Sequence, residues 1–181
     1  IQMTPDLLPA DVLGVNVFNQ ADGSWELKRG PVFSNVLLID ELNRASPKVQ
    51  SAFLEVMQEK QVSIEGETLP LELPFMALAT QVPNTGTGTY LLTDVQLDRF
   101  GFKIDLTYPE DFVELRVLSE IDKIESTDVE SVVFTETVIN LSDRAKEVFV
   151  HEMVQSYIVN IVLWLRGNPA VMSGPSTRAS I

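Results

Sequence analysis

Val36-Leu37-Leu38-Ile39-Asp40-Glu41, running on into Leu42-Asn43-Arg44-Ala45, is an apolar stretch that ends in two adjacent carboxylates. It is short, with Ser34-Asn35 before it and Ser46-Pro47 after it, the pattern of a central strand in a parallel sheet covered on both faces. Carboxylates at the carboxyl end of such a strand sit where open α/β sheets bind ligands. There an aspartate suits a magnesium ion, and a glutamate beside it suits a water that it orients or deprotonates. A solvated junction between strand and loop is the alternative reading of the same two acids.

Outward from this point, strands and helices alternate as in a mostly parallel sheet. Pro47 to Glu59 places apolar residues at Val49, Phe53, Leu54, Val56 and Met57, with Ser46 as N-cap and Pro47 at the first helical position, and predicts an amphipathic helix. Gln61 to Ile64 and Thr68 to Leu71, joined by Glu65-Gly66-Glu67, read as a hairpin with one buried face. Phe75 to Thr80 is a second apolar run ending in polar residues, expected beside the first. A loop from Gln81 to Thr89 leads to a helix over Thr93 to Phe100 and a strand over Phe102 to Leu106.

Upstream, Ile1 to Met3 reads as a short strand, Pro5 and Pro9 impose an irregular connection, and a segment around Asp11 to Leu13 is closed by Gly14. Val15 to Phe18 and Trp25 to Lys28 flank Asp22-Gly23, the turn chemistry of another hairpin. Beyond Tyr108-Pro109 the pattern becomes helical, with helices at Glu110 to Ile121, Thr135 to Val148 and Glu152 to Leu165, and a loop starting at Thr127 to Ser131. The domains expected are therefore 1–108 and 109–181.

The composition limits the partners. The chain of 181 residues carries 26 acids against 13 bases, a net charge of −13 with no clustered basic patch, so nucleic acid is excluded as a primary partner. The longest apolar-rich stretch, Tyr157 to Leu165, is too short for a membrane span. Cysteine is absent, which removes disulfides and thiolate metal sites and suits a reducing, cytoplasmic setting. Ile1-Gln2-Met3 at the front and Arg178-Ala179-Ser180-Ile181 at the end read as cuts through elements, so an internal piece of a longer protein is expected.

Several local signatures follow one another in order. They are Thr4-Pro5-Asp6-Leu7-Leu8-Pro9, Gly30-Pro31-Val32-Phe33 leading into Asp40-Glu41-Leu42-Asn43-Arg44-Ala45, Gln50-Ser51-Ala52-Phe53-Leu54-Glu55-Val56-Met57-Gln58-Glu59 with Gln61-Val62, Ala79-Thr80-Gln81, and Gln96-Leu97-Asp98-Arg99-Phe100. Together they resemble, over nearly the whole chain, the MoxR family of AAA+ ATPases in its helix-2-insert branch. The resemblance implies an α/β fold, a P-loop NTPase-type parallel sheet with flanking helices and β-hairpin inserts, followed by a partial all-helical lid domain. It also implies ATP and Mg2+ as cofactors, a homo-oligomeric ring, and chaperone-like remodelling of protein clients, among them partners bearing von Willebrand A-type domains.

Roles carry over residue by residue from that resemblance. Asp40 matches the Walker B aspartate that positions magnesium, and Glu41 the glutamate that polarises the attacking water. Arg99 matches the arginine finger offered to a neighbouring subunit. Arg178, in Ser176-Thr177-Arg178-Ala179, matches the sensor 2 arginine of the lid. A surface ion pair is the alternative for each arginine. Asn43 and Arg44 suit support of Glu41, contact with an adjoining subunit, or capping of the Pro47 helix. Trp25 and Ile64, on the two hairpins, are candidate partner contacts, with packing of their own hairpin as the other reading.

Two departures from the family pattern stand out. The sensor 1 asparagine expected directly after Ala79-Thr80-Gln81 is Val82, which has no side-chain donor. Either Asn84 substitutes for it or hydrolysis is poor, and Thr80 is the other polar candidate. The phosphate-binding pattern Gly-x-x-x-x-Gly-Lys-Ser/Thr does not occur, and Gly86-Thr87-Gly88 cannot replace it. In the family that loop lies upstream of the segment matching Thr4 to Pro9, so it is expected before Ile1. The sequence therefore leaves two functions open: an ATP-hydrolysing remodelling ATPase, and a non-hydrolysing AAA+-like scaffold that binds proteins. A magnesium-dependent protease or nuclease built on Asp40 and Glu41 ranks third, because no further acids stand at ligand spacing. His151 reads as a packed or surface residue.

Overall fold

The computed structural model of the protein describes residues 1–83, 88–126 and 128–181. In chain order its elements are α1 (Pro9–Leu13), β1 (Gly14–Asn19), β2 (Ser24–Arg29), β3 (Val36–Ile39), α2 (Pro47–Glu59), β4 (Gln61–Ile64), β5 (Glu67–Pro70), β6 (Met76–Ala79), α3 (Asp94–Leu97), α4 (Asp111–Glu125), α5 (Thr135–Lys146) and α6 (Glu152–Gly167), with 3-10 turns at Leu42–Arg44 and Thr177–Ser180. They form two compact units, Ile1–Phe100 with Val148–Ile181, and Gly101–Glu147. This division differs from the expected 1–108 and 109–181 by returning Val148–Ile181 to the first unit, where Ser176 and Arg178 are hydrogen-bonded to Asp98.

In the first unit β3 lies parallel to β6, with Val36 opposite Met76 and Ile39 opposite Ala79. The expected first strand flanks the end of β3 as an isolated parallel bridge, Gln2 to Asp40. Here Asp40 N–H donates to Ile1 C=O at 2.8 Å and Met3 N–H donates to Asp40 C=O at 2.9 Å. Side chains alternate along a strand, so Leu37 and Ile39 enter the core with Met3, Val12, Val32 and the α2 residues Val49, Phe53 and Val56. Val36 and Leu38, on the other face, are 59% and 54% exposed. The expectation of cover on both faces is thus corrected: α2 and the core fill one side, and among the described residues nothing fills the other.

Helix α2 begins at Pro47, whose fixed φ suits the first turn, and ends at Lys60 in the left-handed region at φ 53°. Ser46 occupies the N-cap position, but its side chain makes no capping bond, a correction to the expected role. The first hairpin, β1 with β2, turns through Asp22-Gly23, where Asp22 Oδ1 accepts from the Ser24 N–H at 3.0 Å. Its base is pinched: a Cβ on Gly30 would lie 2.2 Å from the Val12 carbonyl oxygen, so only glycine fits. The second hairpin, β4 with β5, buries Val62 and Ile64. Asn16 Nδ2 donates to Glu65 Oε2 at 2.9 Å and ties the two hairpins together.

Helix α3 is shorter than the expected Thr93 to Phe100, because the chain turns out of it at Asp98 and Arg99. Helix α6 starts at His151, whose Nδ1 accepts from the Met153 N–H at 3.2 Å, so this histidine is a helix cap. In the second unit α4 and α5 bury no side chain among the described residues. The strand expected at Phe102 to Leu106 does not form. Phe102, Ile104 and Leu106 are all exposed, and a strand without a partner ladder leaves its backbone to water. No helix among the described residues is long and apolar enough to cross a membrane.

Candidate functional site

The site is built where β3 and β6 end side by side. Because the two strands run parallel, Thr80 just past β6 arrives next to Asp40 just past β3, and its N–H donates to Ile39 C=O at 2.9 Å. The Thr80 hydroxyl donates to Asp40 Oδ1 at 2.6 Å and accepts from the Glu41 N–H at 2.8 Å. Its carbonyl takes the Leu42 N–H at 2.9 Å. One threonine therefore fixes both acids. Asp40 Oδ2 makes no hydrogen bond among the described residues.

Glu41 sits in the left-handed region, at φ 58° and ψ 48°. For a side chain with a Cβ this costs on the order of 1–3 kcal/mol. The bonds from Thr80, and that from Arg44 N–H to Glu41 C=O at 2.8 Å, hold it there. The carboxylate is tied through a single oxygen: Gln2 Nε2 donates to Oε2 at 2.8 Å and Arg44 Nε approaches the same atom at 3.0 Å. Oε1 has no hydrogen bond among the described residues. Arg44 thus supports Glu41, as one of its readings held, and Gln2 is a supporter the sequence did not single out. No pattern around Gln2 could have revealed it, since its partner lies 39 residues away.

Asn43 is buried and faces elsewhere. Its Nδ2 donates to Val82 C=O at 2.9 Å, and its Oδ1 accepts from the Val82 N–H at 3.1 Å. The amide thereby pins the backbone of the residue at the sensor 1 position, a role none of its sequence readings included. The Val82 side chain adds no donor, and Asn84 lies outside the described residues.

Of the two arginines, Arg178 is held by Asp98 and Arg99 by other partners. Arg178 Nη1 donates to Asp98 Oδ2 at 3.0 Å, the Ser176 hydroxyl donates to the same oxygen at 2.7 Å, and the Ser176 Oγ accepts from the Arg178 N–H at 3.1 Å. The Ser176 hydroxyl, then Arg178, hold the Asp98 carboxyl below its ordinary value of 3.8. Arg99, next in sequence, donates through Nε to Gln58 Oε1 at 3.0 Å and through Nη1 to the Val95 carbonyl. Gln58 is eleven residues beyond Pro47 on α2, about 16 Å at 1.5 Å per residue, so Arg99 stands far along the helix that starts near Glu41. Of the sequence candidates, the structure brings Asp40, Glu41 and Thr80 together and sets Arg99 and Arg178 in a second group.

The donors at Asp40 are hard oxygens, and among the described residues no group of three or more histidines or carboxylates gathers. One carboxylate with an adjacent hydroxyl suits magnesium, which keeps several waters and takes its remaining ligands from substrate phosphates. Ile64 is buried, in line with packing of its own hairpin, whereas Trp25 is 67% exposed and pairs with Phe18 at 5.2 Å between ring centroids.

Residues 1–102 match the model of the ATPase family associated with various cellular activities (AAA). The chain is 44% identical over 182 aligned positions to the uncharacterized protein YeaC of Bacillus subtilis, covering 100% of this chain and 57% of that protein. It is 40% identical over 166 positions to the chaperone MoxR1 of Mycobacterium tuberculosis, covering 92% of this chain and 44% of that protein. The crystal structure of a candidate ATPase from Cytophaga hutchinsonii superposes with a TM-score of 0.84 at 43% identity, over 99% of this chain and 58% of that one. The chain thus spans about half the length of the curated relatives it matches. With a matched model over more than half its residues, and two acids held at the end of a parallel strand, the chain belongs to the AAA ATPase family in its MoxR type.

Proposed function

We propose that the full-length protein carrying this chain hydrolyses ATP with magnesium in a homo-oligomeric ring and uses the cycle to remodel client proteins, including partners with von Willebrand A-type domains. The observation that carries this reading is the Thr80 hydroxyl, which bridges Asp40 Oδ1 and the Glu41 N–H and so presets both acids. Magnesium-bound ATP supplies the phosphoryl group. Asp40 offers Oδ2 to the metal, while Thr80 restrains its other oxygen. Glu41 holds a water on Oε1, with Gln2 and Arg44 keeping the carboxylate oriented through Oε2. Arg99 is offered to the γ-phosphate of a neighbouring subunit, which its distance along α2 from Glu41 supports. Arg178, released from Asp98, reads nucleotide within its own subunit.

The test is Glu41→Gln in the full-length protein. Turnover is expected to fall by about 10²- to 10⁴-fold, the range for loss of a general base, with nucleotide retained. Undiminished turnover overturns the assignment.

A second reading, a scaffold that does not hydrolyse, rests on Val82: its backbone is engaged by Asn43 and its side chain has no donor for phosphate or water. Measuring nucleotide affinity of the full-length protein with and without magnesium separates the two. A scaffold shows little magnesium-dependent binding.

A further inference from the structure

Two buried glutamines connect the carboxylate group to the arginine group. Gln50 and Gln96 are 3% and 8% exposed, in a region otherwise filled by Val49, Phe53 and Val56. Gln96 Nε2 donates to Gln50 Oε1 at 3.2 Å. Gln50 Nε2 donates to Ala45 C=O at 3.1 Å and to Tyr90 C=O at 3.4 Å, and the Tyr90 N–H donates in turn to Asn43 C=O at 2.6 Å. Gln96 Oε1 accepts from the Thr93 N–H at 2.7 Å, and Gln96 C=O accepts from the Arg99 N–H at 3.3 Å. A continuous run of hydrogen bonds therefore leads from the turn that carries Glu41, through Tyr90 and the two amides, to the backbone of Arg99.

An apolar pair at these places would fill the same volume but would leave Ala45 C=O, Tyr90 C=O and the Thr93 N–H without these partners, each at the desolvation cost of an unpaired polar group where buried. What the amides add is direction. Each donor and acceptor goes to a different segment, so α3 is held in one rotation on α2 where apolar contact alone would let it slide. Helix α3 is four residues long and cannot hold its own orientation against fraying.

We propose that Gln50 and Gln96 are positioning residues for Arg99: the amide pair sets where the guanidinium is presented and couples that setting to the Asp40-Glu41 turn of the same subunit. The proposal rests on the ATPase reading above, with Arg99 acting on the neighbour's nucleotide. It predicts a kcat effect without a binding effect, because the subunit's own carboxylates are untouched.

The experiment uses the full-length protein and the variants Gln50→Met and Gln50→Met/Gln96→Met, with folding followed by circular dichroism. The double variant leaves neither glutamine amide facing an apolar partner, removing only their bonds to Ala45 C=O, Tyr90 C=O and the Thr93 N–H, and decides the matter if the single one unfolds. The expected result is a kcat lowered by about 10²-fold, the scale of a misplaced catalytic group, with KM for ATP within about twofold. Mixing variant subunits with Glu41→Gln subunits then restores turnover above that of either alone, because the second kind supplies intact arginines to the intact carboxylates of the first. A folded double variant with wild-type kcat overturns the proposal, as does a mixture without recovery. A wild-type protein lacking magnesium-dependent turnover would instead overturn the ATPase reading, and this proposal with it.

Discussion

The carboxylate group and the arginine group are held by different means. Asp40 and Glu41 are fixed through the backbone: Asp40 is bridged to Ile1 and Met3, and Glu41 is forced into the left-handed region by Thr80 and by its own 3-10 turn. The guanidinium groups of Arg99 and Arg178 are held at the ends of long side chains, by Gln58, the Val95 carbonyl and Asp98. Pairs of that sort at a surface contribute little to stability, since ordering the side chains offsets most of the Coulombic gain. On the proposed function, the acids would thus be set for metal and water before any ligand arrives, whereas the arginines would rest on partners that a phosphate could outcompete.

Replacing Arg99 by Ala tests this contrast most severely. In the full-length protein kcat should drop on the order of 10³-fold, the lower range for an arginine finger, with nucleotide binding by the altered subunit retained. Loss of binding in place of turnover would break the separation of the two groups. Next comes Thr80→Val, which keeps the shape and removes the hydroxyl. Turnover should fall by about 10²-fold as both acids lose their shared restraint, and Thr80→Ser should recover most of it. Steady-state kinetics of the three proteins side by side would show whether the hydroxyl matters.

Asn43→Leu should leave the Val82 N–H and C=O without their partners and lower the unfolding free energy by about 1–3 kcal/mol, readable by denaturant titration. An unchanged midpoint would mean that water replaces the amide. The smallest effect concerns Asp98. Its folded-state pKa is lowered, so its contribution is complete at and above the ordinary value of 3.8 and is lost as the pH falls further, through the lowered value. A carboxyl titration followed by NMR should place the Asp98 midpoint below 3.8, and Arg178→Ala should move it upward. A midpoint that ignores Arg178 would show that the arginine is not parked there at all.

Much of the fold was legible where local chemistry decides it. Pro47 and the spacing of Val49, Phe53 and Val56 marked α2 to its observed ends, and Asp22-Gly23 marked the first hairpin. Phe102 to Leu106 misled for a physical reason: β propensity reports a residue's fit to a pleated surface, and among the described residues no neighbouring strand supplies one. The apolar run at Val36 to Ile39 misled in the same way about its second face, because a run of four apolar residues does not say which of them will be covered. At the site, Asp40, Glu41 and Thr80 were readable as motif members. Gln2 was not, and the motifs that carried Asp98 and Ser176 did not show that the two are bonded, since a polar residue has no local mark until its partner is known.

From the sequence alone came the order of parts: an apolar strand ending in two acids, a proline-started helix, a second strand ending in a threonine, and an arginine near the end of a further helix. Those follow from periodicity, turn chemistry and backbone preference, all local properties. Tertiary structure alone decided which polar groups meet. Thr80 reaches Asp40 across 40 residues, Gln96 reaches Gln50 across 46, and Arg178 reaches Asp98 across 80. A hydrogen bond needs its atoms within a few tenths of an ångström of one geometry, and only the parallel register of β3 with β6 and the seating of α3 on α2 bring those atoms to it.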